Sequence, residues 1–312
     1  MSAAGIRRVL VTGASGFIGR WSVPALLQRD YEVHALVGGS GRRPPTLAGA
    51  QVHRADLFDT AATAALLATL HPTHLLHFAW IATPGIYWHS PDNARWLEAS
   101  RRLLGAFAAA GGQRAVVAGS CAEYDWSRVA QCDESTSPLA HGSSAYATAK
   151  LDLWQFLQDF APAHGLSAAW GRIFFQYGPD EHPQRLVPAV ISALLSGREA
   201  PCTHGRQVRS FLHVADVGAA FAALLDSAVS GVVNIGSPEA ISVAELVGRL
   251  AALTAHPELL RLGARPAGEE PAVLLPKVER LYGAVGWRPR LTLEAGLADT
   301  VDWWRRALGA AP

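Results

Sequence analysis

The first half of the chain alternates short aliphatic runs with longer stretches of helical periodicity. Apolar runs at 8–12, 32–37, 51–54, 74–79, 114–119 and 167–174 read as strands. Between them, 19–29, 61–70, 92–110 and 145–164 carry apolar residues at three- and four-residue spacing and read as helices. Such regular alternation predicts right-handed crossovers and a parallel sheet covered by helices on both faces. After Tyr177 the pattern loosens, punctuated by Pro179, Pro183, Pro188 and Pro201. One more strand is expected at 232–235, then amphipathic helices at 242–254 and 293–308. The expected class is α/β, a doubly wound parallel sheet with a smaller C-terminal lobe.

Composition changes this picture little. Half of the 312 residues are hydrophobic and 17% are charged, enough for a large buried core. A formal net charge of +1 offers no global field for nucleic acid or an acidic membrane. Lys150 and Lys277 are the only lysines. Cys121, Cys132 and Cys202 form no CxxC pair, and the chain enters a predicted strand within its first ten residues, so a cytoplasmic location is expected. No apolar stretch approaches the ~18 residues of a membrane span. His71, His74 and His77 straddle Pro72 and a strand, poor spacing for a metal, so no metal site is expected.

Chemistry enters at three places. Thr12-Gly13-Ala14-Ser15-Gly16-Phe17-Ile18-Gly19 follows the first strand and opens the first helix. Glycines there permit a tight turn, let backbone N–H groups approach a pyrophosphate, and allow the helix to pack closely. Tyr146 and Lys150, four apart on a predicted helix, project from one face. A phenol titrates near ~10, and a neighbouring ammonium favours its phenolate, which makes the pair an acid/base candidate. Ser120 follows the fifth predicted strand, where the strand ends of such sheets face the ligand crevice.

Taken together, the Thr-Gly-x-x-Gly-x-x-Gly turn, the serine and Tyr146-x-x-x-Lys150 resemble the extended short-chain dehydrogenase/reductases, in their nucleotide-sugar epimerase/dehydratase/reductase branch. The likeness continues through Arg172, Tyr177-Gly178-Pro179, the run Arg209-Ser210-Phe211-Leu212-His213-Val214-Ala215-Asp216, Asn234-Ile235-Gly236 and Gly286-Trp287-Arg288-Pro289. It implies a Rossmann-type unit over 1–177, with 206–240 returning to it, and a substrate-binding lobe from 178–205 and 241–312. Ser120, Tyr146 and Lys150 would be catalytic. Cofactor contacts would come from Gly13, Ser15, Gly16, Phe17, Ile18 and Gly19. Asp56, Leu57, Phe78 and Ala79 would add to these, with Tyr146 and Lys150. Arg209 would meet the diphosphate of a sugar nucleotide, as its planar fork suits. Arg185 and Arg265 are looser phosphate candidates, and Thr83, Cys121 and Phe175 would line the substrate site. A homodimer through 92–110 and 145–164 is implied, with Leu153 and Trp154 as exposed apolar residues. Each of these residues also has a plainer reading: Asp56 as a turn cap, Arg209 as an ion pair between lobes, Trp80, Tyr87, Trp88 and Trp126 as packing.

The chain departs from the family pattern in ways that narrow the reaction. No acid follows Val37 before Asp56, while Arg42 and Arg43 stand in that loop, which favours NADP(H) over NAD(H). Cys121 and Ala122 occupy the places of the acidic pair that dehydratases use, and Glu123, one step along an extended segment, is expected to point away. Phe175 and Trp96 replace two family asparagines. Cys121 with His182 is an offset match to the Cys/His pair of GDP-fucose synthases. The expected activity is hydride transfer to or from a keto group of a nucleotide-linked deoxysugar. The alternatives are a C4 epimerase with tightly bound NAD and a carbonyl reductase of a non-sugar metabolite.

Overall fold

A computed structural model of the protein describes residues 6–39, 44–126, 130–136, 138, 144–268 and 271–309. The first half runs β1 (Arg8–Thr12), α1 (Gly19–Leu27), β2 (Glu32–Val37), β3 (Gln51–Arg54), α2 (Thr60–Leu70), β4 (His74–His77), α3 (Asp92–Ala109) and β5 (Arg114–Ser120). After it come β6 (Gln131–Cys132), α4 (Ala145–Ala163), β7 (Ser167–Ile173), β8 (Phe175–Tyr177), α5 (Leu186–Leu195) and β9 (Ala200–Pro201). Next are β10 (Val208–Arg209), β11 (Phe211–His213), α6 (Val214–Asp226), β12 (Gly231–Ile235), β13 (Ile241–Ser242) and α7 (Val243–Leu253). The chain ends with β14 (Leu260–Arg261), β15 (Val273–Pro276), α8 (Glu279–Gly283) and α9 (Leu293–Leu308).

Seven strands form one parallel sheet in the order β12-β7-β5-β4-β1-β2-β3. The chain therefore winds outward from β1 in one direction and, starting at β4, in the other. The crevice between β1 and β4 is the switch point at which doubly wound sheets hold ligands. Both faces of the sheet are dry, so alternate residues of one strand serve different cores. Val9 and Val11 face α1 and α6, whereas Leu10 faces α2, α3 and α4 with Leu103, Phe107, Leu153 and Trp170. At Gly218 a Cβ would lie 2.5 Å from the Trp21 backbone, so α1 and α6 touch at main-chain distance only because this residue has no side chain.

A further core gathers Tyr177, Ile191 and Leu194 with Leu246, Leu250, Leu297 and Trp304 from α5, α7 and α9. Its elements are capped by local side chains: Ser242 accepts from Glu245 N–H and Thr292 from Ala295 N–H. Short strands tie it to the sheet. The pairs β8–β11 and β9–β14 and the four-stranded order β13-β10-β15-β6 lie outside the expectations from periodicity. Two expectations need correction. Leu153 is fully buried against the sheet and presents nothing to a partner; Trp154 is half-buried on Trp170. The strand expected over 74–79 pairs only to His77, since Phe78 and Ala79 turn across the glycine loop. Among the described residues no helix is long and apolar enough to cross a membrane.

Candidate active site

The glycine turn joins β1 to α1 at the switch point. Gly13 sits at φ 65°, and a Cβ there would meet Ala79 N at 2.8 Å. At Gly19 it would meet Gly13 O at 2.3 Å. These approaches bring Phe78 and Ala79 against the turn, with Ser15, Phe17 and Ile18 leading into α1. A tight, side-chain-free turn ahead of a helix N-terminus fits a dinucleotide pyrophosphate. Behind it, Thr12 Oγ1 lies 2.6 Å from His77 Nδ1, and His77 Nε2 lies 2.9 Å from Ser100 Oγ. Burial pushes His77 down to about 3, so it is a neutral clasp between β1, β4 and α3.

Two further candidates lie at and beyond the end of β3. Asp56 is exposed and its carboxylate accepts from Phe58 N–H at 2.9 Å, the turn-cap geometry, with Leu57 beside it. Arg42 and Arg43 lie outside the described residues. Arg54, which the sequence reading passed over, donates to Gly39 O at 2.8 Å and so brings a guanidinium to the ends of β2 and β3.

Ser120 ends β5 and caps a 3-10 turn, Cys121–Glu123. Ser120 N–H donates to Glu123 Oε1 at 2.7 Å while Ser120 Oγ accepts from Ala122 N–H at 3.2 Å. Glu123 therefore lies on a turn, not on the extended segment expected. Its fully buried carboxylate also accepts from Trp170 Nε1 at 3.0 Å and from Arg172 Nε at 2.7 Å. With its oxygens taken by these donors and an ion pair made, this carboxylate braces the turn.

The candidate acid/base lies on α4. Burial raises the Tyr146 phenol above its ordinary value and outweighs the neighbouring Ser120 hydroxyl, which favours the ionised form. Tyr87 stands edge-on to Tyr146, 4.9 Å between centroids, and Trp88 flanks both rings. Thr83 is exposed and its carbonyl accepts from the N–H groups of Ile86 and Tyr87, shaping the turn that delivers Tyr87. Arg185, at the N-terminus of α5, places Cζ 5.3 Å from the Tyr87 ring centre; burial raises that phenol, and Arg185 opposes this by favouring the phenolate. Tyr87 is thus a second buried phenol at the site. Its aromatic context was visible in the sequence, but its meeting with Tyr146 depends on the turn.

Lys150 Nζ donates to Ala118 O at 2.9 Å and lies 3.8 Å from the Trp80 ring centre. It stands 5.9 Å from the Tyr146 ring centre, and burial pulls it down to about 7.

Cys121 and Phe175 share one cluster, over which Arg209 sets its guanidinium 5.3 Å from the Phe175 ring. Arg209 is buried and donates to Val208 O at 2.9 Å. Burial pushes the Cys121 thiol up to about 12, and His182 turns its Nδ1 to Gln184 N–H; neither is arranged as an acid/base pair. Arg265 is exposed, and its N–H donates to Cys202 O near β9, a contact separate from that cluster.

A parallel sheet of this order, with a glycine turn at its switch point, is the frame of the extended short-chain dehydrogenase/reductases. The chain belongs to their NAD dependent epimerase/dehydratase family, whose model matches residues 9–236. It is 28% identical to the UDP-glucose 4-epimerase of Corynebacterium glutamicum, over 97% of each chain. It is 34% identical to a Streptomyces dTDP-4-dehydro-6-deoxy-D-allose reductase, over 41% of this chain and 40% of that one. Among solved structures, MoeE5 in complex with UDP-glucuronic acid and NAD superposes with a TM-score of 0.81 at 30% identity, covering 96% of this chain and 99% of that one.

Proposed function

We propose that the protein is a ketoreductase of a nucleotide-linked sugar, acting on a 4-keto-6-deoxyhexose or a close relative. The observation that carries this is the Ser120–Tyr146 hydroxyl pair beside Cys121 and Ala122, with the adjacent carboxylate, Glu123, locked onto Arg172. Two hydroxyls can orient a ketone oxygen and give it a proton. Loss of water requires a carboxyl free to move a proton at the neighbouring carbon, and Glu123 is not free. A bound nicotinamide would supply the hydride. Ser120 would orient the oxygen, Tyr146 would donate the proton, and Lys150 would hold the nicotinamide ribose. A phenol is protonated at neutral pH, so at rest Tyr146 is a proton donor, which suits reduction. The likeness to a dehydro-deoxysugar reductase supports this direction.

Arg54 at the ends of β2 and β3, and the lack of an acid between Val37 and Asp56, favour NADP(H). NAD(H) is the alternative, since MoeE5 is in complex with NAD. The nucleotide sugar would bind between the unit formed by 1–177 with 206–240 and the lobe of 178–205 and 241–312. Arg209, Arg185 and Arg265 are the candidate phosphate partners, and Cys121, Phe175 and Thr83 would line the sugar. A C4 epimerase, favoured by the likeness to UDP-glucose 4-epimerases, is the second reading.

The test is turnover of 4-keto-6-deoxy sugar nucleotides, followed by the absorbance of reduced cofactor. A reductase consumes cofactor stoichiometrically; an epimerase interconverts sugars with no net change. Tyr146→Phe should lower kcat by about 10²–10⁴-fold with cofactor affinity kept. Near-wild-type turnover in that variant would sink the mechanism.

A further inference from the structure

The resemblance that assigns Lys150 to the cofactor ribose says nothing of Trp80, yet the indole is the nearest aromatic face to the ammonium. Lys150 Nζ lies 3.8 Å from the Trp80 ring centre while donating to Ala118 O at 2.9 Å. The indole itself has little freedom. Its Nε1–H donates to Asn93 Oδ1 at 2.9 Å, and Asn93, 1% exposed, donates to Tyr87 O at 2.7 Å and Ser90 O at 2.9 Å. Trp96 stacks on Trp80 at 6.4 Å, and Phe58 packs on Trp96 at 4.7 Å. Edge and face are both held, so the ring's position over Lys150 is set from outside the site.

We propose that Trp80 is a positioning residue for Lys150, holding its ammonium charged and aimed by a cation–π contact before the cofactor arrives. An aromatic face attracts a cation through its quadrupole, and the attraction strengthens where water is excluded. Burial works the other way and pulls Lys150 down to about 7. The titratable groups facing it are His77 on β4, Glu123 on the turn after β5 and Tyr146 on its own helix. His77 is neutral, Tyr146 is protonated, and Glu123 already pairs with Arg172. The Ala118 carbonyl and, through its charge, Glu123 favour the ammonium as well. Trp80 adds an aromatic face 3.8 Å away that favours the charged form without being an ion.

The inference rests on the reading of Lys150 as a cofactor-holding residue, but its test needs no substrate. With only two lysines in the chain, full-length protein labelled with ¹³C-lysine gives two Cε resonances to follow against pH. Lys277, paired with Asp133 at 3.2 Å, is the internal reference, and Lys277→Arg assigns it. Trp80→Leu keeps apolar cover but removes the quadrupole. Lys150 should then titrate about one pH unit lower than in the wild type, a tenfold fall in the ratio of charged to neutral form. Trp80→Phe keeps a smaller ring and should fall between the two. An unchanged or higher value in Trp80→Leu would overturn the proposal, since desolvation would then be all that the indole supplies. Should Trp80→Leu fail to fold, Trp80→Phe decides: a downward shift supports the proposal and no shift overturns it. Failure of wild-type protein to turn over any keto sugar would count against the proposed function and leave the lysine titration to be judged by itself.

Discussion

Two glutamates near the candidate site show how differently a buried carboxyl can be treated. Glu123 accepts from a backbone N–H, an indole and a guanidinium, so its oxygens are satisfied and its charge is paired with Arg172 in a dry site. Glu181, 8% exposed in the loop after Tyr177-Gly178-Pro179, has an Oε2 with no hydrogen-bond partner. Burial raises it from 4.5 to about 8, with Arg185 opposing. The folded state then binds a proton that the unfolded state has released. Stability contributed by neutral Glu181 is complete below pH 4.5 and is lost as pH rises through about 8. Glu181→Gln should remove that dependence. Its melting temperature should match the wild type near pH 4.5 and exceed it by about 2–5 °C above pH 8. Parallel wild-type and variant melting curves across that range would refute the buried-acid reading.

At the scale of the element, the same accounting explains why α6 ends where it does. Arg114, buried at the start of β5, donates to Leu225 O at 2.8 Å, Leu224 O at 2.7 Å and Val229 O at 2.8 Å. A guanidinium with its planar set of donors thus satisfies the last carbonyls of α6 and the loop beyond. Arg114→Met keeps much of the stem but takes the guanidinium donors from three carbonyls, of which Leu224 O keeps Ser227 Oγ at 2.9 Å. Thermal unfolding should drop by about 5 °C or more, with kcat unchanged at low temperature. A variant as stable as the wild type would mean that water takes over those carbonyls. The sequence did not mark Arg114 for this role, because α6 lies more than a hundred residues away. What it did mark was whatever local patterning controls. Most strands of the main sheet were legible as dry runs bounded by turn residues, the half-exposed edge strand β3 apart, and the glycine turn since its shape is dictated residue by residue. The two-residue strands β6, β9, β10, β13 and β14 are too short for any period. Long-range pairing makes them, and the meetings of Tyr87 with Tyr146 and of Trp80 with Lys150 belong to the same non-local class.

For the whole molecule, the remaining question is what covers the outer side of α3 and α4. With Leu153 turned into the core, a pairing of two chains through these helices must use other residues. The half-buried aromatics on that side are Phe156 and Phe160, stacked at 5.0 Å, with Arg101 Cζ 5.4 Å from the Phe156 ring and His164 stacked on Phe160 at 3.9 Å. Such a row of aromatic and guanidinium groups matches the residue types enriched at interfaces. The four-helix association implied by family resemblance should therefore be centred on Phe156 and Phe160. Light scattering at micromolar concentration is expected to give twice the mass of 33.2 kDa. Phe156→Glu with Phe160→Glu should return it to one chain, because two carboxylates facing their copies across a two-fold axis cannot be desolvated together. The doubly substituted chain should keep its cofactor affinity, since the glycine turn lies between β1 and α1, and Lys150, in the first turns of α4, points inward to Ala118 O of β5. A wild-type monomer, or a dimer indifferent to both substitutions, would rule out this face as the interface.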